Sequence, residues 1–293
     1  MSNDISDIID KIKNINISNI KSEDMKNKEI KKIIKIKEDT NYWDHILKEC
    51  KYDNKEDNFK ITADQIKNCK KSWKGKKCQF EPRLLCYQSS LSQRPEIFKK
   101  ENLCILPIKN GEYIVTKNNI FNKLDYSIKE KDIIKINKDK SSLILSIGNS
   151  ETSLIDNLRY SGIFERDEIL GEKITHGPML NGRHRCSMKL KLGKDTLNIE
   201  GVQYETDSCF ESENKILIIE GKSSNKKICS FNIRQLYFPF RAINEINKGK
   251  KEVISLFIHN LNDKIHIWKY SFPEADRIDK IKLEGHYVFL YNK

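Results

Sequence analysis

The stretch KILIIEGKSS, residues 215–224, runs four apolar residues straight into Glu220, and Lys222 follows two places on. Side chains at i and i+2 share one face of a strand. Glu220 and Lys222 therefore point the same way at the end of a strand that reads as buried. Upstream, Val202-Gln203-Tyr204-Glu205-Thr206-Asp207 reads as a second strand that also ends on an acid, and the polar SCFESEN between the two suits a hairpin-like connection. Antiparallel pairing of these strands would set Asp207 beside Glu220. Two carboxylates brought together raise each other's pKa unless a positive charge lies between them. A hard divalent cation such as Mg²⁺, which prefers oxygen ligands and keeps several waters, meets that need. It polarises a phosphodiester and acidifies a bound water. Lys222 would then stabilise charge developing on the phosphorus oxygens, or position the attacking water. An acid two places before a lysine is a cheap pattern by itself, since Asp24/Lys26, Glu29/Lys31 and Asp53/Lys55 match it too. Only the copy at 220–222 follows an apolar run. The plain alternative is a Glu–Lys surface pair at a strand end.

The surroundings suit an anionic substrate. Between Lys173 and Lys194 stand Arg183, Arg185, Lys189 and Lys191 with no acid, and between Gly221 and Asn244 stand Lys222, Lys226, Lys227, Arg234 and Arg241, again with no acid. The 293-residue chain carries a formal charge of +12, which favours a polyanionic partner, nucleic acid before membrane. Gly177-Pro178 and Asn181-Gly182 mark residues 174–185 as a loop. Its Asn181, Arg183, His184 and Arg185 either read base edges or only touch phosphate. His184 is read as an exposed loop histidine rather than a metal ligand. The eight cysteines are scattered without a C-x-x-C pair, which speaks against zinc, and several sit in apolar settings like small core residues. No apolar run reaches the length of a membrane span, and the first residues lack a signal-peptide core. Free thiols and no signal point to a cytoplasmic protein.

These residues need elements to hold them. Residues 1–75 predict a helical N-terminal region with possible DNA contacts: two amphipathic helices in 1–40, a helix at 41–50, and another that opens at Thr62 with a Thr62/Gln65 capping box. The lysines on that last helix form either a DNA-contacting face or, as the simpler reading, a solvated one. Residues 76–150 predict a small mixed or β-rich connection, with an Asn110-Gly111 hairpin and a strand at 141–148. From 151 on, the order is helix, then strands at 186–192, 196–207 and 215–223, then a helix from 230 with a kink or restart at Pro239, then further strands. Strand 215–223 is apolar on both faces and so central.

Asp207 followed by Glu220-Gly221-Lys222, inside helix–strand–strand–strand–helix–strand, resembles the PD-(D/E)XK nuclease superfamily. The proline of the motif is absent, since Thr206 precedes Asp207. The run TLNIEGVQYETDSCFESENKILIIEGKSS is similar more narrowly to type II restriction endonucleases. The resemblance covers about half the chain, residues 151–293, and implies an α/β fold with a restriction-endonuclease-like core, a mixed central sheet flanked by helices. It implies Asp207, Glu220 and Lys222 as catalytic residues, with Asp207, Glu220 and Gly221 as the metal set. Glu165 or Glu205 would be a possible additional acid, and Asn181, Arg183, His184, Arg185, Lys226, Arg234 and Gln235 would contact DNA. It implies hydrolysis of double-stranded DNA with Mg²⁺ (Mn²⁺ substituting), leaving 5′-phosphate and 3′-hydroxyl ends. A homodimer and a cognate DNA methyltransferase in the same host would go with it. Another nuclease of this fold, of repair or resolvase type, and a catalytically idle DNA-binding protein are the competing readings.

Overall fold

The computed structural model describes residues 41–75, 80–137 and 150–292. The two helices expected in residues 1–40 and the strand expected at 141–148 lie outside them. Helix α1 (Tyr42–Glu49) buries Trp43, Ile46 and Leu47. Strand β1 (Asn58–Thr62) runs directly into α2 (Ala63–Asn68), so the segment is not all helical. The capping box is complete: Gln65 N donates to Thr62 Oγ1 at 3.2 Å, and Thr62 N donates to Gln65 Oε1 at 2.8 Å. Short helices α3 (Pro82–Leu85) and α4 (Glu96–Lys100) precede β2 (Cys104–Lys109) and β3 (Glu112–Thr116). These two strands form the hairpin expected at Asn110-Gly111, with Gly111 at φ +78°. Trp43, Ile61, Phe80, Phe98 and Leu103 share one apolar cluster in this part of the chain.

The remainder holds β4 (Phe121–Lys123), β5 (Ile133–Ile136), α5 (Glu151–Tyr160), β6 (Ile174–Met179), β7 (Gly182–Leu192), β8 (Asp195–Thr206), β9 (Ser208–Ser212) and β10 (Lys215–Ser223). Then come β11 (Ser230–Asn232), α6 (Arg234–Asn247), β12 (Glu252–Leu261), β13 (Lys264–Ser271) and β14 (Lys282–Tyr291). Among the described residues the strands form a five-stranded sheet, β1-β3-β2-β8-β7, a seven-stranded sheet, β5-β14-β13-β12-β10-β9-β6, and the pair β11-β4. The chain is thus mixed α/β and rich in sheet. Strand β10 is central, parallel to β12 and antiparallel to β9. Its faces alternate as the period of two requires: Ile218 joins the cluster of Leu236, Phe240 and Ile243 from α6, while Leu217 and Ile219 join that of Leu154, Ile155 and Leu158 from α5. All three are fully buried, each a contribution of about 1.5–3 kcal/mol from removing apolar surface from water. Helix α6 runs as one element through Pro239.

The sequence reading misplaces three segments. Residues 174–179 form strand β6 rather than loop, because pairing with β9 holds them although they bury little. Gly177 permits the close approach: a Cβ there would stand 2.5 Å from Phe210 Cδ1 and 2.9 Å from the Cys209 carbonyl oxygen. Residues 182–192 are strand, so Arg183, His184 and Arg185 ride on β7 and not on a loop. Strands β7 and β8 pair as a long hairpin, but that hairpin enters the five-stranded sheet through β2 and does not flank β10. The antiparallel neighbour of β10 is β9, the segment read as a connection; its Cys209 and Phe210 are buried on opposite faces. The expected alternation in β7 is present, with Cys186, Met188, Leu190 and Leu192 buried, and Gly201 at φ +58° marks the bulge in β8 opposite Cys186/Met188. Among the described residues no helix is long and apolar enough to cross a membrane.

Candidate functional site

Asp207 is the one residue between the end of β8 and the start of β9, where the chain passes from one sheet to the other. Its backbone N–H donates to the Ile219 carbonyl at 3.3 Å, which fixes it beside the end of β10. Its Oδ2 accepts a hydrogen bond from Gly221 N at 2.7 Å. Glu220 and Lys222 leave the same edge of β10. The Lys222 Nζ lies 2.9 Å from Glu220 Oε1, 3.1 Å from Glu151 Oε1 and 4.0 Å from Asp207 Oδ2, and it donates to the Gly221 carbonyl at 2.7 Å. Four oxygens thus surround one ammonium at the rim of the buried sheet.

The electrostatics follow from burial. Glu220 is 7% exposed, and burial raises its carboxyl pKa, with Asp207 adding to the rise and Lys222 opposing it. Asp207 is raised as well, by burial first, against Lys222 and the Gly221 N–H. Burial works against the Lys222 ammonium, but Glu220, Asp207 and Glu151 outweigh it and its pKa rises. The lysine therefore stays charged and balances the carboxylates.

Two neighbours are not legible in the sequence. Glu151 comes from the first turn of α5, whose Ser150 cap accepts from Ser153 N at 3.1 Å. An acid in a first helical turn is ordinary, so its spacing carries no signal of a site. Gln235, in the first turn of α6, donates from Nε2 to Glu220 Oε1 at 2.5 Å. It stands against the acidic cluster, whereas the sequence reading gave it to DNA. Of the additional acids expected, Glu165 is engaged elsewhere, with Arg159 at 3.0 Å and the Ile174 N–H at 3.1 Å. Glu205 is exposed and accepts from Arg183 Nε at 3.0 Å and Gln203 Nε2 at 3.1 Å. Arg185 Nη1 donates to the Gly201 carbonyl at 2.8 Å, and His184 lies against the Tyr204 ring. Asn181 and Lys226 are exposed, and Arg234 lies over the Tyr87 ring. Cys86, Cys104 and Cys186 are buried free thiols, as their apolar settings suggest, and Cys209, in the segment read as a polar connection, is buried as well.

Among the described residues no group of three or more His, Cys, Asp or Glu side chains stands arranged to hold a metal ion. The donors around Lys222 Nζ nonetheless fit a hard cation in type, being carboxylate and carbonyl oxygens without sulfur or imidazole. The ammonium itself shows that this oxygen set takes positive charge.

Residues 40–115 match a family described as Domain of unknown function (DUF6996). No curated protein and no solved structure matches the chain. A second family, described as Domain of unknown function (DUF6997), matches residues 116–290 and so takes in both sides of the acidic cluster. That match spans more than half of the chain, which therefore belongs to the DUF6997 family.

Proposed function

We propose that this protein is a divalent-metal-dependent endonuclease that hydrolyses phosphodiester bonds in double-stranded DNA. The observation that carries the reading is the convergence of Asp207, Glu220 and Lys222 at one rim of a sheet buried on both faces. The chain order α5, β6, β9, β10, α6, β12, with β6, β9 and β10 antiparallel in sequence and β12 parallel to β10, supports a restriction-endonuclease-like core, into which the β7/β8 hairpin is inserted. Site-specific type II cleavage by a homodimer is the narrower form of the proposal.

Asp207, Glu220 and the Gly221 carbonyl would hold the metal, here Mg²⁺ or Mn²⁺. When bound, that ion supplies polarisation of the phosphodiester and acidification of a water. The protein's own groups do the rest. Gln235 Nε2 holds Glu220 Oε1 in place, so the carboxylate does not turn away when the charge around it changes. Lys222 carries its charge on a rigid strand end and can shift from carboxylate to phosphoryl oxygen, where it stabilises the developing negative charge. Glu151 keeps the amine directed toward the cluster.

The test is incubation of the purified protein with unmethylated phage DNA and Mg²⁺, alongside Asp207→Ala, Glu220→Ala and Lys222→Ala. Discrete fragments from the parent chain and none from the folded variants are expected. A smear would remove the type II reading but keep the nuclease. Intact DNA at every metal tested, or wild-type cleavage by Glu220→Ala, would overturn the proposal, and binding without cleavage would favour an idle DNA-binding protein.

A further inference from the structure

A cavity of about 400 Å³ opens where residues of the first family match meet residues of the second. Tyr87 and Tyr113 line it from the first part, Arg185 from β7, and Arg234 and Gln235 from the start of α6. Its lining includes Arg83, Arg185, Arg234 and Lys109, the last paired to Glu200 at 3.0 Å, against one acid, Glu205, so an occupant should be anionic. Glu205 is itself paired to Arg183. Among the described residues, no carboxylate stands within ion-pair distance of Arg83, Arg185 or Arg234, all three on the cavity wall. Arg234 is the telling member. It is partly buried, its guanidinium carbon lies 5.6 Å from the centre of the Tyr87 ring, and burial pulls its pKa down. A guanidinium withdrawn from water, with no acid in ion-pair contact and Glu220 acting on it only from a distance, favours an incoming anion with planar oxygen geometry. The rings set the rest of the chemistry. Tyr87 keeps 49% of its surface exposed, so a ring face or edge remains open to a flat partner. The cavity also adjoins the acidic cluster, because Gln235 lines it while donating to Glu220 and leaves its own Oε1 buried without a partner.

We propose that this cavity takes a single nucleotide, its base against the tyrosines and its phosphate among the arginines. The inference goes beyond the nuclease reading and stands without it. Two sources share the chemistry: a nucleotide unstacked from a DNA strand at the neighbouring cluster, and a free mononucleotide.

The test titrates the full-length chain by calorimetry with the four 2′-deoxynucleoside 5′-monophosphates, with the matching nucleosides and deoxyribose 5-phosphate as fragments. At least one mononucleotide should bind roughly tenfold or more tighter than either fragment, because stacking and charge act together. Tyr87→Ala, at a side chain with 49% of its surface exposed, should weaken it by about five- to a hundredfold, the span of one base–aromatic stack, with the Tm of the variant measured alongside. Arg234→Gln should bring mononucleotide binding down to that of the nucleoside. A second arm compares short duplexes that are fully paired with duplexes carrying one unpaired nucleotide, in Ca²⁺. Preference for the unpaired duplex that Tyr87→Ala removes assigns the DNA source; mononucleotide binding with no such preference assigns the free nucleotide. Mononucleotides that bind no better than their fragments, or binding unchanged in both variants, would overturn the proposal. DNA cleavage is scored separately, so failure of the nuclease reading leaves the nucleotide result standing, and the reverse.

Discussion

Removing the ammonium from the acidic cluster should show in stability as well as in activity. In Lys222→Met the methylene stem is largely kept, but Glu220 and Asp207 lose the positive charge at 2.9 and 4.0 Å. Glu220 retains one neutral donor, Gln235 Nε2, for a side chain only 10% exposed. Breaking a fully buried pair by deleting one partner costs about 3–5 kcal/mol. Lys222 is 24% exposed and partly screened, so about 2–3 kcal/mol is the reasonable figure here. For a chain of this size that corresponds to a fall of roughly 5–10 °C in Tm. Glu220→Gln in the same chain removes the stranded charge, so the double variant should recover most of the loss. Mg²⁺ at millimolar concentration should also raise the Tm of Lys222→Met more than that of the parent, since a cation can then enter the oxygen set. Scanning calorimetry of the parent, both single variants and the double variant, each with and without Mg²⁺, makes the measurement. A Tm for Lys222→Met within a degree of the parent, or a double variant no more stable than Lys222→Met alone, would refute the claim that this amine balances the carboxylates.

Gln235→Leu should lower DNA cleavage by roughly tenfold or more while DNA affinity in Ca²⁺ stays the same, because the lost donor holds Glu220; equal losses in both would place Gln235 at the DNA instead. His266 is buried in a stack with Trp268 and His286, and Tyr126, His259, Lys227 and Lys264 also face it. Burial pulls its pKa down to about 4, with His286 and His259 adding to the fall. The unfolded chain therefore binds a proton that the folded chain refuses, and stability should fall as pH drops from about 6.5 toward 4, by up to about 3 kcal/mol. Urea unfolding across that window in the parent and in His266→Phe should show a shallower slope in the variant. Arg185→Ala should weaken binding of every DNA sequence and flatten the salt dependence by about one unit if Arg185 touches phosphate; a loss of about 1–3 kcal/mol confined to one sequence would mean it reads a base. Ile218→Ala should cost about 2–5 kcal/mol, read from denaturant unfolding, because Ile218 is fully buried between β10 and α6.

Much of this was written locally. Four apolar residues before Glu220 determine a strand buried on both faces, and a period of two then places Glu220 and Lys222 together. The capping box at Thr62 and the Asn110-Gly111 hairpin rest on atoms within a few residues of each other, so the sequence alone specifies them. The partners of β10 are a different matter. Strand β9 carries two serines and a glutamate in five residues and reads as a connection until burial of Cys209 and Phe210 on opposite faces makes it a strand. Strand β6 buries almost nothing and exists through pairing with β9, which no periodicity announces. The β7/β8 hairpin alternates cleanly, but alternation says only that one face is covered, not by which sheet. Glu151 reaches Lys222 across 71 positions of chain, and Gln235 meets Glu220 only because α6 packs on that face of β10. The cavity joins residues from 83 to 238 in the same way. Short-range geometry chose β10, the capped helix, the hairpin and the face each acid occupies; long-range packing made strands of β6 and β9 and chose which acids, amines and rings meet.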